Sequence, residues 1–259
     1  MRILFLVTLV SLSISFSQET LPLTTAERTA SITQNLRYES DDTARFQVYR
    51  GFIVQFNCQF KTPNFTIHHL SFEQISPDRG PKARRRSSFF VDQQLDSCSS
   101  TNQDFKGSGF DKGHLVPAGD FYWNQLLKNE SFVLSNVSPQ APSLNRGIWA
   151  RLEEAIRARV LSSDSEAYVV TGVIHHPGED EMGGRRVGIP SFFYKIIYFP
   201  RSQTMSSYLF TNGSPAYSGS LSDFLVKEMD IERITGEDFF DRLDDTLEVR
   251  LKSQLVPTE

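Results

Sequence analysis

Apolar residues fall in blocks along this chain of 259 residues, and the blocks have different periods. FQVYRGFIVQFNCQF (46–60) is β-branched and aromatic with partial alternation, which predicts strands. AYVVTGVI (167–174) and SFFYKIIYF (191–199) are nearly continuous apolar runs, the pattern of buried strands, separated by a Gly-rich, charged loop at 178–188. The clearest helix lies in SLNRGIWARLEEAIRARVLSS, where Ile148, Leu152, Ala155, Ile156 and Val160 recur on one face. SDFLVKEMDIERITGEDFFDRL predicts terminal helices. TPN at 62–64 reads as a turn, 76–109 as mainly loop, and NESFVLSNVSPQ as holding a short strand that ends near Asn136. There is no internal repeat and no regular βαβ alternation, so the class is α+β rather than a doubly wound sheet.

Composition narrows the picture. With 39% hydrophobic residues, 12% aromatics and 21 phenylalanines, the chain can fill a sizeable core, which excludes the disordered class. The length suits one large domain or two small ones. A net charge of −4 argues against a protein that coats nucleic acid. Charge is nevertheless segregated. Arg79, Lys82, Arg84, Arg85 and Arg86 cluster together, whereas 223–250 carries ten Asp/Glu against four Lys/Arg. A polyanion would meet the first region and be repelled by the second, although solvated surface explains both as well. Neither a GxxxxGK[ST] loop nor a GxGxxG turn is present.

MRILFLVTLVSLSISFS has one basic residue, an apolar run and then small residues, the layout of a secretory signal peptide cleaved near Ser17. The run is too short for a comfortable transmembrane span, so no stable membrane association is expected. A mitochondrial transit peptide, which should be Arg-rich, ranks second. The expected organisation is a signal peptide at 1–17, an irregular lead-in at 18–45 and one domain at 46–250. Cys58 and Cys98 either pair in an oxidising compartment or stand as two buried thiols. Sequons at Asn64, Asn129, Asn136 and Asn212 permit glycosylation of a secreted chain.

The chemistry centres on GSGFDKGHLVPAGDF, where His114 follows a glycine in a strand-to-turn connection. A lone loop histidine is more often structural than catalytic. Its partners downstream change that weighing. In LNRGIWARLEEAIR, Asn145, Trp149, Glu153 and Arg157 are spaced four apart. On a helix they form one slowly drifting stripe beside the apolar one. An amide, a carboxylate and a guanidinium in that order suit a hard-metal ligand, a group that orients metal-bound water, and a cation for phosphate.

FKGSGFDKGHLVPAGDF, LSNVSPQAPSLNRGIWARLE, VVTGVI with VGIPSFFYKII, and DIERITGEDFF together resemble the DNA/RNA non-specific endonuclease family, in the family's order over roughly 46–245. That resemblance implies a ββα-metal nuclease fold, with a central antiparallel or mixed sheet flanked by helices. It also implies hydrolysis of phosphodiester bonds in DNA and RNA with little sequence preference. By the same resemblance His114 is the general base and Asn145 the direct ligand of Mg²⁺, with Mn²⁺ able to substitute. Glu153 holds metal-bound water, Arg157 is the phosphate-binding cation, and Asn136 supports the substrate side of the site. The family motif reads Asp-Arg-Gly-His, and this chain has Lys112 in place of the arginine, which keeps the charge and loses the bidentate fork. The family contains homodimers, and no motif here decides the state. Two other readings compete. One is a nuclease-like binding protein inactivated by Lys112, against which His114 and Asn145 are both retained. The other is a metal protein using His68, His69, His175 and His176, whose spacing matches no recognised ligand set.

Overall fold

The computed structural model describes residues 44–77, 81–213, 217 and 219–259. The expected signal peptide and most of the lead-in lie outside the described residues. Eleven strands follow in chain order: β1 (Ala44–Val48), β2 (Phe52–Asn57), β3 (Thr62–Ser71), β4 (Asp111–His114), β5 (Val137–Gln140), β6 (Glu166–Ile174), β7 (Glu181–Met182), β8 (Val187–Gly188), β9 (Phe192–Phe199), β10 (Thr204–Thr211) and β11 (Leu225–Val226). Seven of them form one sheet in the order β1-β2-β3-β6-β9-β10-β11, and β4 pairs with β5 in a separate hairpin. Every strand pairing is antiparallel. The class is therefore α+β, with the sheet between two helical layers.

Alternation along the central strands sorts the core onto two faces. Leu70, Val169, Val173, Phe193, Ile197 and Phe199 meet Ile148, Trp149, Leu152, Ile156 and Val160 on one face. These last residues belong to or flank helix α1 (Trp149–Arg159). Phe65, Ile67, Val170, Tyr194, Ile196 and Tyr198 cover the other face with Ile231, Phe239, Phe240 and Leu251. That layer contains α2 (Glu228–Thr235) and α3 (Asp245–Lys252). Because both faces are covered, β6 and β9 read as continuous apolar runs. Among the described residues no helix is long and apolar enough to cross a membrane.

A smaller cluster of Phe52, Val54, Phe56, Leu95, Cys98, Val116 and Phe121 packs at the β2 end of the sheet. Cys58 and Cys98 are joined there by a disulfide, with Cα atoms 5.1 Å apart and a sequence separation of 40. The bridge ties the segment leading into the β4–β5 hairpin to the sheet.

Three local expectations need correction. TPN is the start of β3 rather than a turn; the turn precedes it, with Lys61 at φ 58°. Pro63 pairs with Phe56 where the register shifts between Gln55 and Phe56, and an irregularity in the ladder is where a strand tolerates a residue without an N–H. The short strand follows Asn136 instead of ending at it, since Leu134–Asn136 is a tight helical turn. The long helix is broken: Leu144–Ile148 is a wide π-type turn containing Gly147 at φ −106° and ψ −113°, a backbone angle no helix contains.

Candidate active site

Strand β4 carries Asp111, Lys112, Gly113 and His114 and pairs with β5 in the register Asp111–Gln140, Lys112–Pro139, Gly113–Ser138 and His114–Val137. β5 leads directly to the wide turn and α1, so hairpin and helix form one ββα unit. Period-two geometry puts Lys112 and His114 on one face of β4 and Asp111 and Gly113 on the other. Gly113 is required by close approach. A Cβ built there would lie 2.3 Å from Gln140 Oε1 and 2.6 Å from Gln140 Cβ, and Gln140 is fully buried.

His114 sits against two aromatic rings. Phe89 lies 4.9 Å away, tilted, and Phe132 lies 4.9 Å away, edge-on. Its Nε2 is buried and has no hydrogen-bond partner among the described residues. Burial first, and the charge of Arg85 second, push the imidazole down from its usual value to about 3. At neutral pH the ring is uncharged, so one ring nitrogen keeps a lone pair for a proton.

Asp111 anchors the other component. It accepts from Asn145 Nδ2 at 2.8 Å, and from Arg146 Nε at 2.7 Å and Nη2 at 2.5 Å. Burial raises the Asp111 carboxyl, and the bonds from Arg146 and Asn145 outweigh that and hold it below the usual range. With its nitrogen committed to Asp111, the Asn145 amide keeps Oδ1 as an uncharged, hard oxygen. The wide turn sets where that oxygen stands. Asn145 therefore does not continue the α1 stripe as helical spacing implied, and Trp149, the next position of that stripe, is a core residue only 1% exposed. A cleft of about 440 Å³ opens at this point, lined by Arg85, Phe89, Phe105, Phe110, Lys112 and Asn145 among others.

Glu153 and Arg157 belong to a second group, under α1. Arg157 Nη1 donates to Asp120 Oδ1 at 2.8 Å, and His68 Nε2 meets Asp120 Oδ2 at 2.9 Å. Burial raises the Asp120 carboxyl, but His68 and Arg157 outweigh it and hold it down, while burial also lowers His68. Lys195 rises from β9 into the same layer, only 1% exposed. It donates to Thr171 Oγ1 at 2.6 Å, with Nζ 4.7 Å from the centre of the Trp149 ring. Burial pushes Glu153 up against the opposing pull of Lys195, and pushes Lys195 down against the pull of Glu153. Arg157 faces a concavity with Gly119, Tyr122 and Glu154 rather than the cleft that holds Lys112 and Asn145.

Asn136 is fully buried and its amide is fully used. It accepts from Val116 N at 2.9 Å and donates to Val116 O at 3.0 Å and Ser131 O at 2.9 Å. It clamps the chain just after His114, and burial closes its sequon to a glycan in the folded protein. The remaining histidines are separately engaged: His69 with Glu166, His175 with Thr62 and Glu179, and His176 edge-on to Phe192.

Sequence reasoning passed over Asp111, Asp120, Lys195 and Phe110. Asp111 lay inside the quoted motif. Lys195 is a charge inside the apolar run SFFYKIIYF, which was the available signal. The Asp120 contacts are 52 and 37 residues away in sequence, beyond the reach of any spacing rule.

Residues 30–246 match the family described as DNA/RNA non-specific endonuclease. The chain is 32% identical over 224 residues to Nuclease C1 of Cunninghamella echinulata var. echinulata, covering 81% of this chain and 88% of that protein. It is 32% identical over 180 residues to human mitochondrial endonuclease G, covering 63% of this chain and 60% of that one. Among solved structures it superposes on a chain of the EndoG/EndoGI complex with a TM-score of 0.74 at 27% identity, covering 84% of this chain and 93% of that one.

Proposed function

Given that the chain belongs to the DNA/RNA non-specific endonuclease family, we propose that it hydrolyses phosphodiester bonds in DNA and RNA with little sequence preference, His114 acting as the general base. One observation carries this reading. An uncharged imidazole with an unpartnered Nε2 stands on the same strand face as Lys112, in a hairpin joined to the turn that presents Asn145 Oδ1.

His114 takes a proton from the attacking water, a task for which a lone pair at neutral pH is the first requirement. Its flanking rings fix the plane of the imidazole and exclude competing water. Lys112 and Arg85 set positive charge at the cleft and hold the scissile phosphate. Those contacts carry no base information, which gives weak sequence preference. Asp111 is a positioning residue: it fixes the Asn145 amide and stays ionised beside Arg146. Arg157 contributes charge to the Asp120 and Glu153 side, with one Nη bound to Asp120.

The donor chemistry suits a divalent ion, since Asn145 Oδ1 at the cleft is a hard oxygen, the Glu153 carboxyl in the adjoining layer under α1 is another, and Mg²⁺ is usually held by few protein ligands. Mg²⁺, with Mn²⁺ able to substitute, would be held by Asn145 directly and Glu153 through water, and would supply charge stabilisation at the phosphate and the leaving oxygen. We also infer a single nuclease domain over 46–250 and export through the 1–17 leader. The Cys58–Cys98 bridge supports an oxidising compartment. Relatives named as mitochondrial support that compartment as the alternative.

Purified protein incubated with plasmid and with RNA, with and without EDTA, tests the proposal. Cleavage of both with Mg²⁺ and none with EDTA is expected. Full cleavage in EDTA would contradict the metal assignment, and no cleavage of either polymer would contradict the function.

A further inference from the structure

Phosphodiester hydrolysis needs charge and a base, yet the cleft beside His114 also carries three phenylalanines. They are not equivalent. Phe105 is buried and forms a floor. Phe89 is already packed, tilted, against His114 and Phe132. Phe110 is half-buried, packs against the Phe105, Leu134 and Val137 cluster, and lines the cleft.

The sequence KGSGF delivers Phe110 there through an ordered turn. Gly107 and Gly109 stand at φ 73° and φ 85°, the left-handed region that favours glycine. Ser108 Oγ accepts from Phe110 N at 3.2 Å and donates to Phe105 O at 3.0 Å. Cations sit among the rings. Lys112 Nζ lies 5.5 Å from the centre of Phe89 and 5.4 Å from that of Phe105, and the Arg85 guanidinium lies 5.2 Å from that of Phe132. At about 440 Å³ the cleft falls within the range of roughly 300–1,000 Å³ typical of small-molecule sites.

Aromatic faces interleaved with Lys and Arg along a groove are the make-up of single-strand binding surfaces. A base still paired in a duplex reaches such a ring only by leaving its stack, which costs a few kcal/mol. We propose that this cleft is a nucleobase subsite, in which an unpaired base stacks on Phe110 while Lys112 and Arg85 hold its flanking phosphates, so that single-stranded nucleic acid is cleaved in preference to duplex. The inference rests on the nuclease reading and deepens it. Stacking is also indifferent to base identity, since every base has a π-face, and so agrees with weak sequence preference.

The test compares kcat/KM on oligo-dT with that on a duplex of equal length. The wild type should favour the single strand by roughly 5- to 150-fold, equivalent to about 1–3 kcal/mol for one stacked base. Phe110→Leu keeps apolar bulk on the cluster and removes the π-face. It should erase that preference through KM on oligo-dT, lower kcat/KM on the duplex by less than on oligo-dT, and be rescued by Phe110→Trp. Binding supplies a second readout that needs no turnover. Fluorescence anisotropy in EDTA should show Phe110→Leu weakening labelled oligo-dT while an abasic strand of equal length binds as before. Duplex preference in the wild type, or equal weakening of the two strands, overturns the subsite. If the wild type cleaves neither DNA nor RNA, the nuclease reading fails, and the anisotropy comparison still decides the subsite.

Discussion

Replacing Gly113 by alanine adds one methyl group at the most crowded point of the site. The new Cβ would meet Gln140 Oε1 at 2.3 Å, Gln140 Cβ at 2.6 Å and Gln140 Cδ at 3.0 Å. Rotating the glutamine side chain relieves the Oε1 and Cδ contacts but not the one at 2.6 Å, because Cβ is fixed to the β5 backbone. Ordinary contact between such atoms begins near 3.4 Å, so β4 and β5 must separate by close to 1 Å. Overpacking of this kind costs about 1–3 kcal/mol. At roughly 2–4 °C per kcal/mol for a domain of this size, Tm should fall by about 2–12 °C. His114 is the adjacent residue on the moving strand, and a displacement of about 1 Å at a reacting group can cost on the order of 100-fold in rate. Circular-dichroism melts and initial rates on plasmid read the two effects. Pairing the change with Gln140→Gly, which removes the obstructing atoms, should recover part of both losses. If Gly113→Ala melts within a degree of the wild type at full activity, the close approach that explains this glycine is wrong.

Further outcomes are expected elsewhere. Because His114 in the folded chain is depressed to about 3, the unfolded chain binds the extra proton between about pH 6.5 and 3, and folding stability from this residue is lost as pH falls through that window. Melts of His114→Asn from pH 7 to pH 4 should therefore decline less steeply than wild type, and an identical slope would refute the assignment. Replacing Cys58 and Cys98 together by serine opens a crosslink with a sequence separation of 40 and should destabilise by about 4 kcal/mol on the loop-entropy relation, read by urea denaturation. Arg157→Ala leaves Asp120 buried with only His68 as partner and should cost about 3–5 kcal/mol in the same assay; a change below about 1 kcal/mol would show that the pair does not hold α1 to the sheet.

The sequence exposes what depends on local pattern. β6 and β9 are legible because both faces are buried and their residues are apolar regardless of direction. His114 and Asn145 stand out in the sequence through the motif blocks, and the structure sets them in one ββα unit; the four-residue spacing that ran Asn145 into the α1 stripe does not survive the break at Gly147. The break ahead of α1 was signalled by Gly147, but the apolar period continues across it, so periodicity alone extends the helix too far. Pro63 misleads for a related reason: proline marks turns on average, and here it occupies an irregular point of the β2–β3 ladder. The buried charge layer is different in kind. His68, Asp120, Arg157 and Lys195 come from four separate elements, β3, the tight turn Ala118–Phe121, α1 and β9, and only the tertiary fold brings them together. The same limit applied to Arg157, whose charge was readable and whose partner was not.

The central claim is that His114 removes the proton in phosphodiester hydrolysis. Initial rates of plasmid cleavage at saturating Mg²⁺ by wild type and His114→Ala, with circular dichroism to confirm folding, test it most directly. General-base loss predicts a fall of roughly 10²- to 10⁴-fold in a folded protein. A folded His114→Ala that retains near-wild-type activity would contradict the account and place the base elsewhere.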